Sequence, residues 1–244
     1  MLAHELLKQG KLVVMSETKK SWLRAKIEQG IRQGLTDAYE KVKVEPDKFL
    51  IQLRAAYGLP VATFQGVYSV PLETVDNVGA EIVRASMKMA AVEGAGMGLG
   101  GVLTIIPDLG ILSAITMRMI QKLSLVYGFE FNTETEQAEL WVAAASAAGV
   151  DISRELVEKQ FVNRFVPRVI QKIAVQASTD IVEKWAARLI PVLSSVLGAG
   201  LNYYFVRVWG ERAMGHFRAK HIYIRQQRAN AELLVSPEAP KSAV

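Results

Sequence analysis

A chain of 244 residues is long enough for one large core or two small ones, and with half its residues apolar and a mean hydropathy of +0.17 it is greasy for a freely soluble domain. The lack of cysteine excludes a disulfide scaffold, a thiolate zinc site and a cysteine nucleophile, and His4, His216 and His221 are too few and too badly spaced for a metal site. Net charge is +5, and residues 207–228 hold six basic side chains (Arg207, Arg212, Arg218, Lys220, Arg225, Arg228) against Glu211 alone, which suits an anionic partner.

The opening stretch "MLAHELLKQGKLVVM" does not read as a secretory leader. Glu5, Lys8 and Lys11 break its apolar run and no small-residue cleavage site follows, so the chain is expected on the cytoplasmic side. Over 16–43, Leu23, Ile27, Ile31, Leu35, Tyr39 and Val42 form one helical stripe. Pro46 opens a second helix running to about Gly58. Residues 59–70, "LPVATFQGVYSV", read as loop. Pro71 opens a helix whose Leu72, Val75, Ile82 and Met89 share a face, and it runs into the glycine stretch "EGAGMGLGGVLTIIPDLG", residues 93–110.

Three readings of that stretch compete. Gly96, Gly98 and Gly101 satisfy G-x-G-x-x-G, but a phosphate cradle needs a strand before it and a helix after it, and neither a preceding strand nor Gly-Lys-Ser/Thr is present. Close packing is the second: Gly94 with Gly98, and Gly96 with Gly100, are four apart and would line one helix face, although in water each costs roughly 1 kcal/mol against alanine. A flexible bend broken at Gly100-Gly101 competes equally with it. Membrane entry is the third, since residues 94–107 are uncharged; fourteen positions fall short of the ~20 needed to span. The stretch is therefore read as a packing and bending device before a ligand loop.

Pro107 is expected to start a helix to Tyr127, with Asp108 in its first turn, where a carboxylate meets exposed N–H groups, and Gly128 as the C-cap. Thr133 to Glu136, "TETE", fits a capping box ahead of an alanine-rich helix ending near Gly149. Asp151 can cap a long segment reaching about Arg188, which Pro167 should kink or divide. Its Gln160, Arg164, Arg168 and Lys172 make a solvated stripe. The last helical segment runs from about Ile190 to Ala231, and residues 235–244 are expected to be a disordered tail.

Within that segment, residues 189–206, "LIPVLSSVLGAGLNYYFV", carry no charge and lie between Arg188 and Arg207. They form a marginal transmembrane candidate, with a buried bundle helix as the competing reading. Phe205, Trp209, Ala213, Phe217 and His221 recur four apart, making an amphipathic basic helix whose aromatic row reads as core ahead of membrane contact. Its cations could meet anionic headgroups at about 1 kcal/mol each. The two apolar stretches mirror each other, glycines then Ile-Pro in "GLGGVLTIIP" and Ile-Pro then glycines in "IPVLSSVLGAG". That order suits two antiparallel segments packed together. Convincing strand alternation is absent, so the expected fold is all-α: a single helical bundle over 1–234 with a Gly-rich close-packed helix pair.

For chemistry, Glu93 and Asp108 flank the glycine stretch and are the weak candidates for an acid and a base; Ser194 and Ser195 sit in no nucleophile elbow. No cofactor or metal is expected. Nucleic acid is not an expected partner either, because no helix-turn-helix, RNA-recognition or zinc pattern accompanies the basic cluster.

The glycine run with "IPDLG" (106–110), then "RMIQKLSLVYG" (118–128), "IPVLSSVLGAGLNYYFV" (190–206) and "ERAMGHFRAKH" (211–221), taken in order, resembles the EcsC protein family over about residues 80–220, leaving the N-terminal helices (1–58) as an extension. The family is named for a neighbour of an ABC-transporter pair in bacterial operons. The resemblance implies a bacterial, helical, membrane-associated protein, with lipids or a transporter-associated membrane complex as partner. It transfers no catalytic residues. The positions matching its recurring blocks are Glu93, Gly96, Gly100, Pro107, Asp108, Pro191, Gly198, Gly200 and Asn202. The leading expectation is an accessory protein docking on the inner membrane, peripherally or partly inserted, through its apolar pair and basic helix. A soluble bundle enclosing an apolar ligand or lipid is second, and a hydrolase using Glu93 and Asp108 third.

Overall fold

Apolar residues at three- and four-residue steps can be buried only if helices pack on helices, and the computed structural model of the chain is built that way. It describes residues 17–97, 105–152, 162–187 and 195–235. Among these lie α1 (Glu17–Lys41), α2 (Pro46–Tyr57), a 3-10 helix (Phe64–Ser69), α3 (Leu72–Met97), α4 (Ile105–Val126), α5 (Glu134–Ala147), α6 (Val162–Ala187) and α7 (Ser195–Val235). No strand occurs among the described residues.

The local signals explain most of the boundaries. Pro46 is at the first turn of α2, and Gly58 ends it in the left-handed conformation (φ 65°), its N–H reaching the carbonyl of Leu53. Thr133 and Glu136 cap α5 reciprocally: the Thr133 hydroxyl accepts from Glu136 N–H, and the Glu136 carboxylate accepts from Thr133 N–H at 2.9 Å. Gly128 and Gly149 both take positive φ behind their helices. At Gly128 a side chain would also strike Tyr68, whose ring lies 2.9 Å from where a Cβ would stand.

Four expectations need correction. First, Pro107 does not open α4, whose described residues are already helical at Ile105. Second, Pro167 does not divide α6, which is continuous over 162–187 with Pro167 near its start. Third, residues 59–70 are more than a connecting loop. They fold through the 3-10 helix and bury Leu59, Val61, Phe64, Val67, Tyr68 and Val70. Fourth, Met89 leaves the face it was expected to share. Val75 and Ile82 are buried, but towards the C-terminal end of α3 the inward positions pass to Met87 and Ala90, and Met89 turns out, 53% exposed.

The centre of the molecule is α4, which touches α1, α3, α5, α7, α2 and the 3-10 helix. A helix with neighbours on nearly every side must be apolar nearly all round, and Leu112, Ile115, Met119, Ile120, Leu123 and Val126 are all buried. Its span Leu109–Val126 is also the stretch among the described residues long and apolar enough to cross a membrane, with 67% of it buried inside the bundle. Its two cations, Arg118 and Lys122, look outward. The expectation had put the marginal span at 189–206. Residues 188–194 lie outside the described ones, and the remainder of that segment is the start of α7.

Polar groups on α4 are satisfied locally. Ser113 and Thr116 donate to the carbonyls of Leu109 and Leu112, each at 2.7 Å. The buried Gln121 amide clamps the link after α1, accepting from Val44 N–H at 2.8 Å and donating to the Val42 carbonyl at 2.9 Å. The stripe on α1 docks as its spacing predicts, with Leu23, Ile27, Ile31 and Leu35 buried. The N-terminal helix is thus part of the common core, packed on α4 and α6.

Candidate functional site: the α3–α7 seam and its two poles

The most extensive helix pairing in the molecule is α3 against α7. Asp76 faces Arg218, Gly79 faces Met214 and Val83 faces Gly210, so the two helices run antiparallel. Met119 lies beside Gly210, and Tyr127 beside His221, so α4 runs parallel to α7. The C-terminal end of α3 and the N-terminal ends of α4 and α7 therefore share one pole. The first turn of α3, the end of α4 and the last third of α7 share the other.

The close approach of these helices rests on glycines that the sequence reading passed over. A Cβ at Gly210 would stand 2.7 Å from Val83 Cγ1, and one at Gly34 would stand 2.8 Å from Gly110 Cα, backbone against backbone. One at Gly79 would meet Met214 Sδ at 3.2 Å. These single glycines inside amphipathic helices drew no notice beside a run of six. Of the positions expected to pack closely, Gly98, Gly100 and Pro191 lie outside the described residues, and at Gly94, Gly96, Pro107 and Gly198 only the helical backbone is described. Gly200 is exposed, with nothing within 4 Å of its Cβ direction among the described residues. Asn202 is buried. Glu93 is exposed near the end of α3, and Asp108 is the fourth residue of α4; its side chain lies outside the described ones. Whether these two carboxyls meet is therefore beyond the described geometry. Among the described residues, no group of three or more His, Cys, Asp or Glu could hold a metal ion.

The basic helix is used differently from a free cationic face. The aromatic row is core: Trp209, Ala213, Phe217 and His221 are buried and Phe205 partly so. Each of the six cations has a partner within the fold. Arg207 pairs with Glu211 at 2.8 Å along its own helix. Arg212 donates to the Ala147 carbonyl at 3.3 Å, where a cation suits the C-terminal end of α5. Arg218 Nε meets Asp76 Oδ2 at 2.8 Å, while Asp76 Oδ1 accepts from the Tyr127 hydroxyl, also at 2.8 Å. Lys220 meets Glu139 at 2.7 Å and lies over the Phe129 ring. Arg225 donates to the Val70 carbonyl, and Arg228 donates to Gln65 Oε1 while lying 4.1 Å from the Tyr68 ring centre. The cluster ties α7 to α3, α5 and the 3-10 helix.

Burial, with the Asp76 hydrogen bond, pushes the Tyr127 hydroxyl far above the ordinary phenol range. Burial likewise raises Tyr68, to about 12. Both are neutral donors at any physiological pH. Burial lowers His221, whose Nδ1 lies 2.9 Å from the Tyr127 carbonyl. A carbonyl only accepts, so Nδ1 carries the proton.

The first pole has another character. Exposed there are Met89 (53%) and Val92 (73%) on α3, and Tyr203 (42%) and Tyr204 (43%) on α7. Met89 and Val92 precede the uncharged stretch 94–107, and Tyr203 and Tyr204 lie near the end of the other, 189–206. Elsewhere, an open cleft of about 360 Å³ is lined by Gly149, Val150, Asp151, Gln171, Lys172, Val175 and Gln176. The cleft is open to solvent and does not enclose a ligand.

A model of the EcsC protein family matches residues 4–222, nearly the whole chain. The chain belongs to the EcsC protein family. The match takes in α1 and α2, which the block resemblance over 80–220 had left outside, in keeping with their place in the common core. This EcsC-family chain is similar to Protein EcsC of Bacillus subtilis (strain 168), 22% identical over 213 residues, covering 84% of this chain and 86% of that one. No solved structure matches.

Proposed function

We propose that this EcsC-family chain is a membrane-associated accessory protein that docks on the cytoplasmic side of the bilayer by its apolar pole, without catalysis of its own. One observation carries the reading. The end of α3 and the starts of α4 and α7, which lie in the two long uncharged stretches, share one pole, and towards it Met89 and Val92 on α3 and Tyr203 and Tyr204 on α7 are exposed. Exposed apolar side chains gathered at one place are costly in water. Returning a half-exposed Met or Tyr to an apolar setting recovers about 1 kcal/mol. Tyrosines at the rim suit the headgroup level, where an apolar ring and a polar hydroxyl are both accommodated.

This moves the proposed contact away from the basic helix, because Arg212, Arg218, Lys220, Arg225 and Arg228 are engaged in holding the fold. Arg207 is the cluster's member nearest the pole and the one free to turn to a headgroup by releasing an exposed, weak pair. Reversing Arg218 would strand Asp76 and test stability rather than docking.

The test is fractionation of the native protein with salt and then alkaline carbonate, repeated with a Met89→Glu/Val92→Glu variant, alongside flotation with purely zwitterionic vesicles. Retention through carbonate, flotation, and a loss of about tenfold or more in the variant are expected. Complete release by salt would mean electrostatic docking and defeat the apolar-pole reading. Retention in cells without flotation on vesicles would point to a membrane protein complex, such as the transporter pair that the family resemblance implies.

A further inference from the structure

Beyond Phe217, α7 continues to Val235, yet His221 is the buried residue in this last stretch among the described residues. Most of what else holds the segment is polar and partly exposed: Arg218 to Asp76, Lys220 to Glu139 and the Phe129 ring, Arg225 to the Val70 carbonyl, Arg228 to Gln65 and the Tyr68 ring, with Ile222 and Ile224 half-buried. His221 is fully buried, stacked on Tyr68 (ring centres 4.6 Å apart, planes 8° apart), with Tyr127 edge-on at 6.0 Å. Its Nδ1–H donates to Tyr127, and its Nε2 is buried with no hydrogen-bond partner among the described residues. A neutral ring tolerates this arrangement. An imidazolium would put an N–H donor where nothing among the described residues accepts it, and a charge in a buried place.

The surroundings of the ring deepen the asymmetry. From α7 itself, Arg225 and Arg228 bring positive charge; from α3, Asp76 brings the opposing charge, already shared between Tyr127 and Arg218; the 3-10 helix and α4 contribute the neutral phenols of Tyr68 and Tyr127. We infer that the stretch of α7 beyond Phe217 is an acid-releasable clasp, held on the 3-10 helix and α3 by neutral His221 and freed when that ring takes up a proton.

Burial first, then Arg225 and Arg228, hold the His221 pKa below its ordinary 6.5. The released segment restores the ordinary value, so it binds more protons than the clasped one below pH 6.5. Release is therefore favoured about tenfold per pH unit below that point, until the clasped ring itself titrates, and is unaffected above it.

The experiment is amide hydrogen exchange on the full chain at pH 7.5 and 5.0, corrected for intrinsic exchange, with His221→Phe and His221→Asn alongside. Phe keeps the stack on Tyr68; Asn keeps a donor for the Tyr127 carbonyl. In the native protein, exchange over 218–235 and 64–70 should rise about tenfold or more at pH 5.0 while 109–126 stays protected. In either variant that folds, the acid step should vanish. An equal step in the variants would assign it to another group, His216 on α7 being the nearest in kind, and overturn the inference. So would loosening of 109–126 together with the clasp, or no step at all. If neither variant folds, the imidazole titration of native His221 decides: a pKa at or above 6.5 refutes the clasp, and one well below supports it.

Discussion

Asp76 shows how much of the seam rests on a single side chain. One carboxylate oxygen accepts from Tyr127, the residue just after α4, and the other from Arg218 on α7, so Asp76 on α3 holds both. The Arg218 side chain is 45% exposed, and its ion pair by itself contributes little, below about 1 kcal/mol. The Tyr127 residue is buried, and losing its acceptor leaves a desolvated hydroxyl. Asp76→Ala should therefore cost about 1–3 kcal/mol in denaturant unfolding, against less than about 1 for Arg218→Ala. Equal costs would mean that the ion pair, and not the tyrosine hydroxyl, governs the site. None of this was legible beforehand. Asp76 sits in "LETVDNVGA" like any acid early in a helix, and Arg218 reads as a cation awaiting a lipid, because an i+4 pattern describes one helix and says nothing of the helix beside it.

At the level of elements, the caps were legible and the crossings were not. Thr133→Ala removes the side chain that receives Glu136 N–H and should lower stability by about 1 kcal/mol, read as a shift in the urea midpoint without a change in slope. The helix crossings depend on glycines whose importance lies in another part of the chain. Gly210→Ala would press a methyl onto Val83 and should cost about 1–3 kcal/mol. Gly215→Ala, five residues on in the same helix, points to open space and should instead stabilise α7 by up to about 1 kcal/mol. Opposite signs from the same substitution in one helix would show that contact, and not helix propensity, fixes Gly210. If both stabilise, the seam is looser than its geometry indicates. The capping box could be read because both partners lie within four residues. Gly210 and Val83 lie more than a hundred residues apart, and without their contact Gly210 looks like a minor fault in a helix.

Across the whole molecule, the antiparallel course of α3 and α7 separates two kinds of surface. One pole gathers the apolar helix ends and exposed aromatics; the other holds the Asp76, His221 and Arg228 network. The proposed docking and the proposed acid release therefore rest on different surfaces and can fail separately. Met89→Glu/Val92→Glu should abolish vesicle flotation without altering the pH dependence of exchange over 218–235, and His221→Phe should do the reverse.

The all-α class, most helix boundaries, the capping box, the glycine C-cap after α4 and the core role of the aromatic row followed from the sequence alone. Each depends on backbone and side-chain chemistry within one or two helical turns, or on burial of a periodic stripe. The ordered blocks of glycine, proline and aspartate carried the family as well. The tertiary structure decided where the apolar span goes and what the cations do. A uniformly apolar helix is equally suited to lipid and to the centre of a bundle, and α4 became central because five helices and the 3-10 turn surround it. Likewise, a basic cluster suits headgroups until carboxylates and helix-end carbonyls from α3, α5 and the 3-10 turn approach within hydrogen-bonding distance. Those partners lie some 65 to 163 residues away along the chain, and only folding brings them to α7.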